Sequence, residues 1–301
     1  MTTALVEKQV LLERLDGLRQ IPTIPAVLTP LLRYLQQPVE QIDLREITDF
    51  LARDKSLAAQ CLHMANSPLF GSGRWGRVES LRGAVVSLGV HHISDIAMSC
   101  GVLNLLPAGK TSIDPTVFWE HSLGCALVCR RLARKINLCD PGKAYLAGLL
   151  HDLGIIVNLW VLPKEFGAAF NIARAEGIPL HEAEQRSLGF THCDSGHLLA
   201  ENWGLAPDLI AVVTHHHSPE QSSQDSGLVA LVHVADLLCR MSSLNYGYAE
   251  QRQVNLFEDD GFSLLAQIST GLKNFDWARL TFELDSYMDE VHSLVRAIYR
   301  A

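Results

Sequence analysis

Alternating apolar–polar runs are scarce in this chain, which excludes a sheet with one solvated face as its main architecture. No C-x-x-C pair occurs among its seven cysteines. That odd, scattered set, with Cys61, Cys100, Cys125, Cys129 and Cys239 in apolar helical patterns, excludes a disulfide frame and reads as buried thiols in a reducing cytoplasm. The N-terminal residues do not have the shape of a signal peptide. No apolar run approaches the ~18–20 residues of a membrane span; the longest, over 144–162, is interrupted by His151, Asp152 and Asn158. Basic excess is lacking too: the formal charge is -8, which argues against nucleic acid as the main partner. Repeats are absent, and the one low-complexity stretch is the polar loop 218–226. Charged residues make up 19% of the chain and hydrophobic ones 48%, so disorder is excluded and a large packed core is available.

What is present is helical spacing almost throughout. Helices are expected over 5–18, 26–36, 44–53 (with Asp43 and Glu46 as a capping box), 56–66, 80–88 and 91–106. The segment Ile21-Pro-Thr-Ile-Pro25 is stiffened by its prolines, and Phe70-Gly-Ser-Gly-Arg-Trp-Gly76 is a glycine-rich loop without the lysine and Ser/Thr of a phosphate-cradling P-loop. The clearest break, Pro107–Pro115, marks a domain boundary. Further helices are expected over 117–136, 143–160, 164–176, 180–188, 193–203, 207–216, 228–242, 261–270 and 277–299. The fold class is therefore all-α and two-lobed, with an N-terminal helical lobe over 1–110, a helical bundle over 111–245 and a C-terminal helical tail over 246–301 packed on that bundle.

Histidine and aspartate fall in an informative order: His121, His151-Asp152, His192, His215-His216-His217 and Asp236. Imidazole and carboxylate suit Fe, Mn, Co, Ni or Zn, and groups spread over five segments could converge only in a helix-bundle site. His151-Asp152 lies mid-way along an apolar run and is costly to bury unsatisfied. The small residues Ala147, Gly148 and Gly154 would let neighbouring helices approach the pair. Adjacent residues on one helix point about 100° apart, so a shared centre must lie between them, or the pair serves two metals. A buried ion pair is the other reading of His151-Asp152, a core position that of His121, and a solvated helix start that of His192. Asp236, on an apolar helix, wants a cation or metal as partner.

Taken together, His121, His151-Asp152 and Asp236 resemble the HD superfamily of metal-dependent phosphohydrolases. With His192, His216 and His217 they resemble its HD-GYP branch, whose centres hold two or three metals. The first half of the chain resembles the HDOD domain. Ile21-Pro-Thr-Ile-Pro-Ala-Val is similar to its L-P-x-L-P opening. Asp54-Lys-Ser-Leu-Ala-Ala-Gln-Cys-Leu-His-Met-Ala-Asn-Ser is similar to D-P-x-L-x-x-x-L-L-x-x-A-N-S, and Glu79-Ser-Leu-Arg-Gly-Ala-Val-Val-Ser-Leu-Gly89 to I-x-x-A-I-x-x-L-G. Trp203-Gly-Leu-Ala-Pro207 and His216-His-Ser-Pro219 fit as well. The resemblance implies an all-helical bacterial signalling module and assigns His121, His151, Asp152, His192, His216, His217 and Asp236 as ligands of two divalent ions, Fe, Mn, Ni or Zn. His215 falls outside that set.

The chain also departs from an active phosphodiesterase. Ile155 stands where H-D-x-G-K has its phosphate-binding lysine, so the charge that a phosphoryl transition state needs is missing there. The G-Y-P stretch is replaced by Ser218-Pro-Glu-Gln-Ser. Lys143 or Arg186 could stand in for the lysine. Three functions follow. The first is a regulatory HDOD protein with a retained metal site and a protein partner in a signalling pathway. The second is a phosphohydrolase acting on a nucleotide or cyclic dinucleotide, in which Asp152 would bridge two metals that activate water. The third is a scaffold whose histidines bind nothing.

Overall fold

In a computed structural model, residues 54–70, 77–107, 109, 111–251, 255–272 and 275–299 are described, along with Glu13, Thr48, Asp49, Leu51 and Ala52. The expected helix over 26–36, the proline segment 21–25 and the loop Gly71–Gly76 lie outside the described residues, as do the expected helices over 5–18 and 44–53 apart from those five positions. Among the described residues every regular element is a helix and no strand occurs. The principal helices are α1 (Lys55–Ala65), α2 (Leu81–Leu88), α3 (Val90–Leu103), α4 (Pro115–Ile136), α5 (Pro141–Leu150), α6 (Leu153–Val161), α7 (Pro163–Glu176), α8 (Leu180–Ser187), α9 (His192–Asn202), α10 (Pro207–His215), α11 (Ser226–Arg240), α12 (Asp260–Ile268) and α13 (Trp277–Tyr299).

Local chemistry sets most boundaries. The carboxylates of Asp54, Asp114, Asp140, Asp225 and Asp259 cap α1, α4, α5, α11 and α12 by accepting backbone N–H groups, which satisfies donors that each first turn leaves orphaned. Pro115 and Pro141 follow their caps at the first helical position, where a missing N–H costs nothing. Thr191 and Asp194 form a reciprocal capping box on α9. Asn137 and Gly177 end α4 and α7 in the left-handed conformation.

The chain divides into two units. Among the described residues, one contains Leu106–Phe275 and the other contains those from 48 to 105 together with those from 276 to 299. This differs from the expected tail over 246–301. Residues up to Phe275 stay with the bundle, whereas α13 joins the N-terminal unit and packs on α1 and the short turn Pro68–Phe70. The reason is the amphipathic face of α13, whose Leu280, Leu284, Met288, Val291 and Val295 are buried.

In the Leu106–Phe275 unit, α4 packs on α5, α6 on α9, and α11 on α4, α5, α10 and α12. Its core is filled by fully buried Phe118, Trp119, Tyr145, Phe166 and Phe190, with the Arg130 guanidinium 4.0 Å above the Tyr145 ring. One expectation needs correction. The helix expected over 143–160 is two helices, α5 and α6, separated by His151 and Asp152. Asp152 adopts φ -96°, ψ 19°, outside the helical well, so the segment jogs at the pair. The stretch Pro141–Val161 has the length and apolarity of a membrane span, contrary to the expectation that none approaches it, but 89% of its most apolar window is buried inside the protein.

Candidate metal centre

All seven side chains named from the sequence converge in the Leu106–Phe275 unit. His121, His151, Asp152, His192, His216 and Asp236 are at most 1% exposed, and the His217 side chain is 10% exposed. Two glycines make the convergence physically achievable. A Cβ on Gly148 would lie 2.8 Å from the Cys125 carbonyl oxygen, so α5 rests directly on α4 and carries the His151 ring to 5.4 Å from that of His121. A Cβ on Gly154 would overlap the His192 carbonyl oxygen; α6 therefore touches the start of α9 and places His192 beside Asp152. The expectation of close helix approach around the pair is met by a different neighbour on each side.

Asp152 is the N-cap of α6, yet its side chain makes no capping hydrogen bond. Forgoing a cap costs about 0.5–2 kcal/mol, and the five aspartates named above do cap their helices. Asp152 faces the histidines instead. Its Oδ2 lies 3.2 Å from His151 Nε2 and 3.5 Å from His121 Nε2. Its Oδ1 lies 3.4 Å from His192 Nε2 and 3.6 Å from His216 Nε2. One carboxylate thus has an oxygen toward each of two groups: His121, His151 and Asp236 on one side, His192, His216 and His217 on the other. Asp236 Oδ1 is 3.3 Å from His121 Nε2, and its Oδ2 is 3.6 Å from His217 Nδ1.

The tautomers follow from the outer partners. Nδ1 of His121 lies 2.7 Å from the Leu244 carbonyl, Nδ1 of His151 2.7 Å from the Gly148 carbonyl, and Nδ1 of His216 3.1 Å from the Val212 carbonyl. Nδ1 of His192 lies 2.6 Å from Glu184 Oε2. Carbonyl and carboxylate oxygens only accept, so each Nδ1 carries the hydrogen. Each ring thereby turns its Nε2 inward, the arrangement of metal-ligating histidines held by outer hydrogen bonds. His192 Nε2 stands 3.4 Å from His216 Nε2 and 3.1 Å from His217 Nε2. His151 Nε2, Asp152 Oδ1 and His217 Nδ1 are buried without a hydrogen-bond partner among the described residues. Such groups are costly unless a cation or proton satisfies them. The donor set fits a divalent cation: a tetrahedral ion at roughly 2.0–2.1 Å from nitrogen spaces its ligand atoms about 3.3–3.4 Å apart.

Charge follows the same logic. Burial would raise the Asp152 carboxyl, but His151, then His192 and His121, hold it well below the usual carboxylate range. Burial would also raise Asp236, which Arg240 and then His121 hold well below that range. Burial lowers His192 and His151, yet Glu184 lifts the first well above the ordinary histidine value and Asp152 lifts the second. Burial, then His151 and His181 respectively, depress His216 and His217 well below it. The centre attracts positive charge and presents two of its imidazoles as neutral ligands.

Several residues of the centre escaped sequence reasoning. Fully buried Glu184 accepts from the His192 backbone N–H at 2.9 Å as well as from its ring. Arg240 donates from Nε to both Asp236 oxygens at 3.0 Å and from its NH1 to Glu250 at 2.7 Å. The sequence had left Asp236 wanting a cation, and the i,i+4 spacing to Arg240 was the available signal. Tyr246 donates its hydroxyl to Asp152 Oδ2. Cys125 Sγ lies 3.6 Å from His121 Nε2, and Cys193 Sγ 3.8 Å from His216 Nδ1; both cysteines belong to clusters able to hold a metal.

A surface cavity of about 550 Å³ opens over His217, with His181 stacked on the His217 ring at 4.0 Å. Its charged lining is Glu182, Asp194 and Arg186. Arg186 is paired with Glu176 and Glu182 at 3.0 and 3.4 Å. Lys143 is paired with Asp208 and, at 2.9 Å, with Asp225. Both candidate substitutes for the missing lysine are therefore engaged with carboxylates. Ile155 is fully buried in the core.

Comparison with known proteins adds the lineage. A family model for the HDOD domain matches residues 21–219. The crystal structure of an HDOD domain protein of unknown function from Geobacter sulfurreducens superposes with a TM-score of 0.83 at 27% identity, covering 97% of this chain and 98% of that one. A candidate phosphohydrolase of Shewanella amazonensis SB2B superposes with a TM-score of 0.71 at 23% identity, covering 96% and 97%. An uncharacterized protein of Treponema pallidum (strain Nichols) is 24% identical over 227 residues, which is 75% of this chain but only 43% of that protein.

Proposed function

The chain belongs to the HDOD family, and from that footing we propose that it is a bacterial regulatory protein whose His/Asp centre holds two divalent ions, Fe, Mn, Ni or Zn, bridged by Asp152. One observation carries the reading: four histidines, each held at Nδ1 by an outer oxygen, turn Nε2 inward toward two carboxylates. His121, His151, Asp152 and Asp236 would hold one ion; Asp152, His192, His216 and His217 would hold the other. Bound there, the ions would supply Lewis acidity and a lowered water pKa. The residues that should turn this chemistry on a phosphate are wanting. The cavity over His217 has two carboxylates and one arginine that is already paired, and such a lining disfavours an anionic substrate. The metal would therefore serve structure or sensing, in the cytoplasm, with a protein partner in a signalling pathway as the receiver.

A second reading, hydrolysis of a nucleotide or cyclic dinucleotide, is favoured by the two-faced Asp152 and the cavity reaching His217. Elemental analysis of the purified, untagged protein beside a His151→Ala/Asp152→Ala variant tests the first reading. About two equivalents of metal are expected, lost in the variant. Less than a tenth of an equivalent with no uptake on reconstitution would sink the metal assignment. Turnover of a cyclic dinucleotide by the loaded protein would move the conclusion to the second reading.

A further inference from the structure

Tyr246 lies outside every motif in the sequence, yet its hydroxyl is placed inside the centre. The oxygen hydrogen-bonds Asp152 Oδ2 and stands 3.2 Å from His121 Nε2, and the phenol ring packs 4.5 Å from the His121 ring. The residue is 5% exposed. A phenol has one proton and there are two acceptors. With that proton on Asp152, an oxygen lone pair faces the inward lone pair of His121, a mismatch that a cation between them removes.

The turn that delivers Tyr246 is built for the task. Leu244 seats its side chain on Gly124 of α4, where a Cβ would overlap it. The Leu244 carbonyl takes the His121 Nδ1 hydrogen at 2.7 Å. Asn245 Oδ1 accepts the Gly247 N–H at 2.9 Å, and Gly247 turns the chain at φ 83°, a conformation that favours glycine. One short turn thus both orients a ligand histidine and presents an oxygen to the same point.

We propose that Tyr246 is itself a ligand at the His121–His151–Asp152–Asp236 end of the centre. Its phenol oxygen takes the coordination position that would otherwise go to water or to a substrate oxygen. On coordination an oxygen–metal bond forms, the Tyr246 O–H bond breaks and the proton leaves to solvent. The chain thereby closes this end of its own centre. The inference rests on the metal reading above and goes further, since it names the residue that keeps exogenous ligands off one ion.

Ferric iron is the probe, because phenolate bound to it gives a visible charge-transfer absorption that imidazole and carboxylate do not. Protein loaded with Fe(II) under argon and then oxidised in air should show this band. Tyr246→Phe should lose it while keeping its iron and its thermal melt. Azide should perturb the visible spectrum of the variant and leave that of the wild type unchanged. Iron-loaded wild type without the band would overturn the role of Tyr246 and leave the metal reading standing. Wild type that takes up no iron, manganese, nickel or zinc would overturn both.

Discussion

Glu184 shows how much of the centre is decided by residues that touch no ion. Its Oε2 accepts from the His192 ring and backbone, while Oε1 accepts from Asn158 at 3.2 Å. Removing that charge while preserving shape leaves His192 in place but less basic as a ligand. Glu184→Gln is therefore expected to weaken metal affinity by roughly 10–100-fold, the usual range for an outer partner, with little change in the thermal melt of chelated protein. Competition with a metal indicator dye measures the first quantity, and unaltered affinity would show that Glu184 merely fills space. The convergence of the histidines and aspartates could be expected from their order along the chain through the HD resemblance. Arg240 was legible only as an i,i+4 partner of Asp236, and Glu184 and Tyr246 were not legible. The first comes from the helix before His192, the second from a position 125 residues from His121, and no local pattern encodes that pairing.

At the scale of elements, helix existence among the described residues was legible from periodicity and caps, and most of the boundaries expected there fall within a few residues of those observed. The jog between α5 and α6 was not, since apolar spacing runs through His151-Asp152 without a glycine or proline to mark it. Close approach was legible in kind, from small residues near the pair, but which helix each glycine would meet depends on topology. Gly154→Ala forces a methyl group into the His192 carbonyl, which separates α6 from α9. A cost of roughly 1–3 kcal/mol or more is expected, seen as a fall of several degrees in Tm together with loss of metal uptake. Gly167→Ala on α7 makes the contrast, because its new methyl would lie 3.6 Å from Ser112 Cβ, ordinary contact distance. Replacing a mid-helix glycine in that setting should stabilise by roughly 0.5–1 kcal/mol. Equal melting temperatures for the two variants would contradict the packing described.

Across the whole molecule, the two-lobed helical plan was expected, whereas the joining of α13 to the N-terminal unit was not. Its amphipathic face announces burial without naming the partner. Within the Leu106–Phe275 unit the converging His and Asp side chains lie on α4, α9 and α11, at the C-terminal end of α10, and at the junction of α5 with α6. A metal held by these residues, as proposed, would close several chain loops at once and bind only the folded state, so its binding free energy would add to stability. Chelation should accordingly lower Tm by several degrees, and added metal should restore it in a concentration-dependent way. A melt indifferent to both would mean that the fold does not depend on the centre.

The jog at the pair has an electrostatic consequence of its own. The carboxyl end of α5 and the amino end of α6 meet there, and their macrodipoles present roughly half a charge each, of opposite sign. At a point beside the junction these two fields largely cancel. The α5–α6 junction then adds little net field of its own at this spot, in contrast to anion sites built on a single helix start. Selectivity for charge would therefore rest on Asp152, Asp236 and the oriented imidazoles, and a charge-removing change to either carboxylate should weaken binding of a cation even where the helices keep their places.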